Sequence, residues 1–100
     1  MRTHVFAVAI AAAPLLVTAQ PADPATRSLA ASCAICHGTD GVAASKDTIS
    51  LAGLPKDHIA KQMRDLRDGR RPATVMHQIG KGYTDAEIDR LAAWFAAQKR

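Results

Sequence analysis

Cys33-Ala34-Ile35-Cys36-His37 concentrates the reactive chemistry of this 100-residue sequence and holds both of its cysteines. Two thiols two residues apart can each add to one vinyl group of a porphyrin. A histidine directly after the second thiol is then placed under the iron as the proximal ligand. C-x-x-C-H at this spacing is the signature of covalent c-type haem attachment. The cysteines also admit other chemistry. In an exported chain they can form a disulfide, but a redox C-x-x-C of the thioredoxin type needs a βαβ pattern around it, and no strand pattern flanks this one. A zinc site needs a second pair of ligands at metal spacing, and His58 and His77 are too far apart to supply one locally.

A histidine-bound haem iron has one axial position left. A thioether there raises the reduction potential and suits electron transfer, whereas an open position permits ligand binding or peroxide chemistry. Beyond the N-terminal segment two methionines remain, Met63 and Met76. Met63 shares an apolar helix face with Ile59 and Leu66, where core filling is the ordinary role. Met76 lies between two helices, far enough from His37 to reach the opposite haem face. His77 beside it competes and would give a bis-histidine site of lower potential. His58, near a helix start, fits a surface or capping position.

The segments that must carry these groups follow a short export signal. Arg2 and His4 precede an almost wholly apolar run at 5–17, and small residues at 17–19 suit a signal peptidase. The expected signal peptide is 1–19, cleaved after Ala19. The run is too short for a bilayer of ~30 Å, which takes about 20 helical residues, so no integral span is expected after cleavage. Residues 20–100 would form one small domain, near the size at which a hydrophobic core alone is marginal. A buried macrocycle would act as its staple. Loss of Arg2 lowers the formal charge from +4 to +3, and two haem propionates offset much of that. Nothing here invokes nucleic acid.

Asp23-Pro24 suits a helix start, and 25–33 carries Leu29, Ala30 and Cys33 on one side. Gly38-Thr39-Asp40-Gly41 marks a turn. An irregular loop at 42–53 follows, with Ile49, Leu51 and Leu54 as candidates to cover a haem edge. A second helix starts near Leu54-Pro55 and stops at Gly69. Lys61, Arg64 and Arg67 lie on its other face, with Lys61–Asp65 and Arg64–Asp68 at i,i+4 spacing. That face is expected to be solvated rather than a docking patch for an acidic partner. Residues 73–80 can form a short helical turn. Thr84 and Glu87 make a capping box for a last helix at 85–98, whose stripe is Ile88, Leu91, Ala92 and Phe95 with Trp94 beside it.

With these residues in place, the sequence resembles the class I cytochromes c, in particular cytochromes c4 and the haem subunit of flavocytochrome c sulfide dehydrogenase. The resemblance rests on the stretch from Leu29 through the motif to Gly41, on Leu51-Ala52-Gly53, on Ala73-Thr74-Val75-Met76, on Gly80-Lys81-Gly82-Tyr83 and on Ile88 to Phe95. It implies an all-α class I cytochrome c fold, three to four short helices wrapped around one covalently attached haem c. It also implies Cys33 and Cys36 as the thioether attachments and His37 and Met76 as axial iron ligands. The terminal helices would cross with Ala30 or Ala31 against Trp94 or Phe95. The implied function is periplasmic one-electron transfer without catalysis by this chain alone. A flavoprotein sulfide dehydrogenase subunit is one implied redox partner; a free carrier serving a terminal oxidase is the alternative, and a haem enzyme or sensor with an open sixth site is a further one. One departure stands out. The family usually has prolines in the loop after the haem histidine, where Lys46 and Ile49 stand here. A loop carbonyl at or near Lys46 is expected to accept the hydrogen bond of the His37 ring, from a loop less rigid than in the relatives.

Overall fold

Asp23 opens the described part of the chain, residues 23–100 of a computed structural model. The expected signal peptide lies outside it. The Asp23 carboxylate accepts from the Thr26 N–H at 3.0 Å and from the Thr26 hydroxyl at 2.6 Å. Pro24 takes the first helical position, where its missing N–H has no helical partner to lose. This start sets α1, Pro24–Ala31. A one-turn α2, Ala34–His37, carries most of the cysteine motif, and a 3-10 turn at Thr39–Gly41 closes it. After the loop come α3, Lys56–Arg67, a short α4, Met76–Gly80, and α5, Asp85–Ala96. The capping box at Thr84 and Glu87 is formed in full, and Gly69 ends α3 with φ +75.

No strand occurs among the described residues, and the fold is all-α as expected. Five α-helices occur among the described residues where three to four were expected; the extra one is the single turn over the motif, too short to show a periodicity. Helix ends also retract. The first helix stops at Ala31, the last at Ala96, and the turn expected from residue 73 begins only at Met76.

The core joins Ala30 of α1, Ile59 and Ala60 of α3, and Ile88, Leu91, Ala92 and Phe95 of α5. Ile88 is fully buried. Burial of side chains such as Ile88, Leu91 and Phe95 contributes about 1.5–3 kcal/mol each. Ala30 and Ala92 are small enough for α1 and α5 to cross closely, while Ala31 faces outward. Trp94 is half-buried and meets the Phe95 ring edge-on, with centroids 4.8 Å apart. Gly41 has φ +82, and a Cβ there would lie 2.7 Å from the Phe95 ring. The backbone just after the motif therefore rests directly on α5, which only glycine permits.

The basic face of α3 is neither a free patch nor simply solvated. Arg64 does not pair with Asp68 along its own helix; it reaches Asp85 and Asp89 of α5 at 3.1 and 2.8 Å. Arg67 bonds Asp68 and Asp85, Arg70 bonds Asp65 and Asp68, and Lys61 pairs with Asp65 as its spacing suggested. Asp85 is thus held between two α3 arginines, which tie the start of α5 to α3.

These pairs lower the aspartate pKa values. The Arg67 and Arg64 guanidiniums depress Asp85, Lys61 and Arg70 depress Asp65, and Arg67 depresses Asp68. The folded values lie below the unfolded one of about 3.9. The resulting stability is fully present above that pH and is lost as pH falls through the folded values. Asp85 and Asp68 are exposed and Asp65 is half-buried, and all three lie at the surface, so the effect is modest and screened by salt. The melting temperature of the haem-loaded protein should fall below about pH 4, less steeply in Asp85→Asn and less steeply in high salt. A steeper fall in Asp85→Asn would contradict this assignment.

Candidate haem site

Helices α2, α3 and α4 and the loop before α3 surround a cavity of about 500 Å³. Its walls are mainly apolar. Ile49, Leu51 and Leu54 line it from the loop, as their sequence positions suggested, and Ile59, Met63 and Leu66 line it from α3. Ile79 of α4 and Leu91 and Phe95 of α5 complete the apolar lining. The size and character suit a large flat apolar group with few polar anchors.

Of the four residues singled out in the sequence, Cys33, His37 and Met76 line this one cavity. Cys36 is exposed and not on its wall. The two cysteines form no disulfide. Cys33 is half-buried, and burial pushes its thiol pKa up, with a hydrogen bond from Ser32 opposing. His37 is 9% exposed. Its Nδ1 lies 2.8 Å from the Ile49 carbonyl oxygen. A carbonyl can only accept, so Nδ1 is the donor; this leaves Nε2 as the ring nitrogen that can face a metal. An imidazole in this state, a methionine thioether and a thiol on the wall of an apolar cavity form a donor set that fits haem.

The carbonyl belongs to Ile49, not to a residue at or near Lys46. Leu51 and Ala52 both donate to the Gly41 carbonyl, at 2.8 and 3.1 Å. Those bonds fold the end of the loop back over the motif, while Lys46 stays out on the exposed bend. His58 is exposed as expected but also lines the cavity. It shares a helix face with Gln62, and that i,i+4 spacing beside Ile59 and Met63 was the available signal. Met63 packs against the core, as its apolar face suggested, and lines the cavity as well. His77 is not on the wall; its Nδ1 is buried without a hydrogen-bond partner among the described residues. Arg71 is on the wall and donates to the Gln62 side-chain oxygen at 2.6 Å. The Tyr83 hydroxyl is 3.2 Å from the Ser32 hydroxyl, which ties the approach to Cys33 to the turn before α5.

Comparison with known proteins bears on the same residues. The family described as cytochrome C oxidase, cbb3-type, subunit III matches residues 20–95. The chain is 39% identical to the cytochrome subunit of sulfide dehydrogenase from Chlorobaculum tepidum, an alignment covering 86% of this chain and 92% of that protein. It is 36% identical to cytochrome c4 of Pseudomonas aeruginosa over 75% of this chain but 37% of the relative. It is 35% identical to a thiosulfate dehydrogenase electron acceptor of Thiomonas intermedia over 92% of this chain and 43% of the relative. The chain thus spans less than half the length of the latter two relatives and nearly all of the first. An all-α fold around an apolar cavity, the C-x-x-C-H motif and a family match over most of the sequence lead to one conclusion: this chain belongs to the c-type cytochrome family, and it transfers electrons through covalently bound haem c.

Proposed function

We propose that the chain carries single electrons in the periplasm, with Cys33 and Cys36 as thioether attachments and His37 and Met76 as the axial iron ligands. The observation that carries this reading is one apolar cavity with His37, whose Nδ1 donates to the Ile49 carbonyl, and Met76 both on its wall. When bound, haem supplies a one-electron couple. His37 would hold the iron from the motif side, its ring fixed by the Ile49 carbonyl. The Met76 thioether, at the first position of α4, favours the reduced state relative to a nitrogen ligand. The apolar walls exclude water and so disfavour the extra charge of the oxidised state. Arg71 and Gln62 are placed to meet an anionic propionate at the cavity wall. Arg70 is committed to Asp65 and Asp68 and does not serve there. With His37 and Met76 both holding the iron, no position would be left on it for a substrate, and the haem would serve electron transfer only.

Absorption spectra of the oxidised protein test the ligand assignment. A methionine–iron band at the red end should be present in the wild type, survive Met63→Ala and vanish in Met76→Ala. The reduction potential of Met76→Ala should fall by more than about 59 mV, a tenfold shift in the one-electron equilibrium. A band that survives Met76→Ala and vanishes in Met63→Ala would transfer the role to Met63.

The partner proposed is a flavoprotein sulfide dehydrogenase subunit, whose electrons this chain would drain one at a time. The near full-length similarity to the cytochrome subunit of sulfide dehydrogenase supports it. Purification from the periplasmic fraction should give a haem-bearing chain starting at Gln20, with flavin absorbance travelling with the haem. Recovery of the haem chain alone would favour a free carrier serving a terminal oxidase.

A further inference from the structure

We infer that Ser50 is a positioning residue for His37, acting through the Ile49 carbonyl; this rests on the proposal that His37 is the proximal iron ligand. The residues from 42 to 50 form no helix or strand. None of them is proline, so no ring fixes a backbone angle in this stretch. Its conformation depends on the few hydrogen bonds that close it. The Ala43 N–H donates to the Ser50 hydroxyl oxygen at 3.0 Å. One residue further on, Leu51 and Ala52 donate to the Gly41 carbonyl. Within the loop the Asp47 N–H reaches only the nearby Ser45 hydroxyl, at 3.3 Å. Ile49 lies immediately inside the Ser50 closure, and its carbonyl accepts from the His37 ring. Of the side-chain bonds in this stretch, the Ser50 bond alone joins the two ends of the loop.

The physical consequence concerns the imidazole. A hydrogen bond from Nδ1 to a carbonyl raises the basicity of Nε2 as a metal ligand and fixes the ring orientation. A more basic ligand favours the oxidised iron. Without the Ser50 hydroxyl, the segment 43–50 gains freedom, the Ile49 carbonyl spends less time in line with Nδ1, and the reduced state gains. Ser50 thereby tunes the reduction potential without touching haem.

The test is a redox titration of the haem-loaded full chain. Ser50→Ala should shift the equilibrium two- to threefold toward the reduced form at a fixed solution potential, about 18–28 mV at 59 mV per tenfold. Proton NMR of the reduced protein should show faster exchange of the His37 Nδ1 proton in this variant. Ser50→Thr keeps the hydroxyl and should restore both values. A Ser50→Ala variant that melts at a lower temperature with unchanged potential and exchange would overturn the inference, leaving Ser50 merely structural. The same shift in Ser50→Thr would also overturn it, since the hydroxyl would then be irrelevant. His37→Ala separates this failure from failure of the underlying reading: a haem spectrum unchanged in that variant would remove His37 as ligand, whatever Ser50 does.

Discussion

The hydrogen bond from His37 Nδ1 to the Ile49 carbonyl joins the two halves of this structure. On one side is the motif, a single helical turn that follows α1 and is closed by a 3-10 turn. On the other is a loop with no regular structure of its own. The bond exists because Gly41, in a conformation open to glycine, lets the backbone rest on Phe95 and offers its carbonyl to Leu51 and Ala52. Remove the glycine and a Cβ enters the Phe95 ring; the loop then loses its anchor, and the histidine loses its acceptor. Core packing and the state of the histidine are therefore one problem rather than two.

The cofactor belongs to the same problem. The apolar residues around the cavity do not close on one another across about 500 Å³; a bound macrocycle would give them a surface to bury against. In a domain of this length the core is small, so contacts with a bound haem would add substantially to it. The α3–α5 ion pairs hold the outer side of the bundle, where Asp85 takes two arginines. They also engage cations that would otherwise form a basic stripe on α3, while Ile35 of the motif and Val75 beside Met76 remain exposed.

What was legible in the sequence was local. The Asp23 cap, the Thr84–Glu87 box, the Gly69 stop and the C-x-x-C-H turn each depend on residues within four positions of one another, and each is formed. The stripes of α3 and α5 were legible from their period. Features set by the path of the chain in space were not. The i,i+4 rule offered Asp68 to Arg64, but α5 brings Asp85 and Asp89 closer to that guanidinium. The acceptor for His37 was expected at or near Lys46 because a loop's course cannot be counted along the sequence; it is fixed by two backbone bonds to Gly41. His58 was assigned by its position near a helix start, and its place on the cavity wall emerges only once α3 is set against the motif.

On the proposed assignment the iron would be held by His37 and Met76 and closed to other ligands, leaving it only to gain and lose an electron. Titration of the reduced native protein with carbon monoxide addresses that claim most directly, because carbon monoxide binds wherever an axial position is open or weakly held. The expected result is an unchanged reduced spectrum under a full atmosphere of the gas. Tight binding by the untreated protein would contradict the account and point instead to a haem enzyme or sensor.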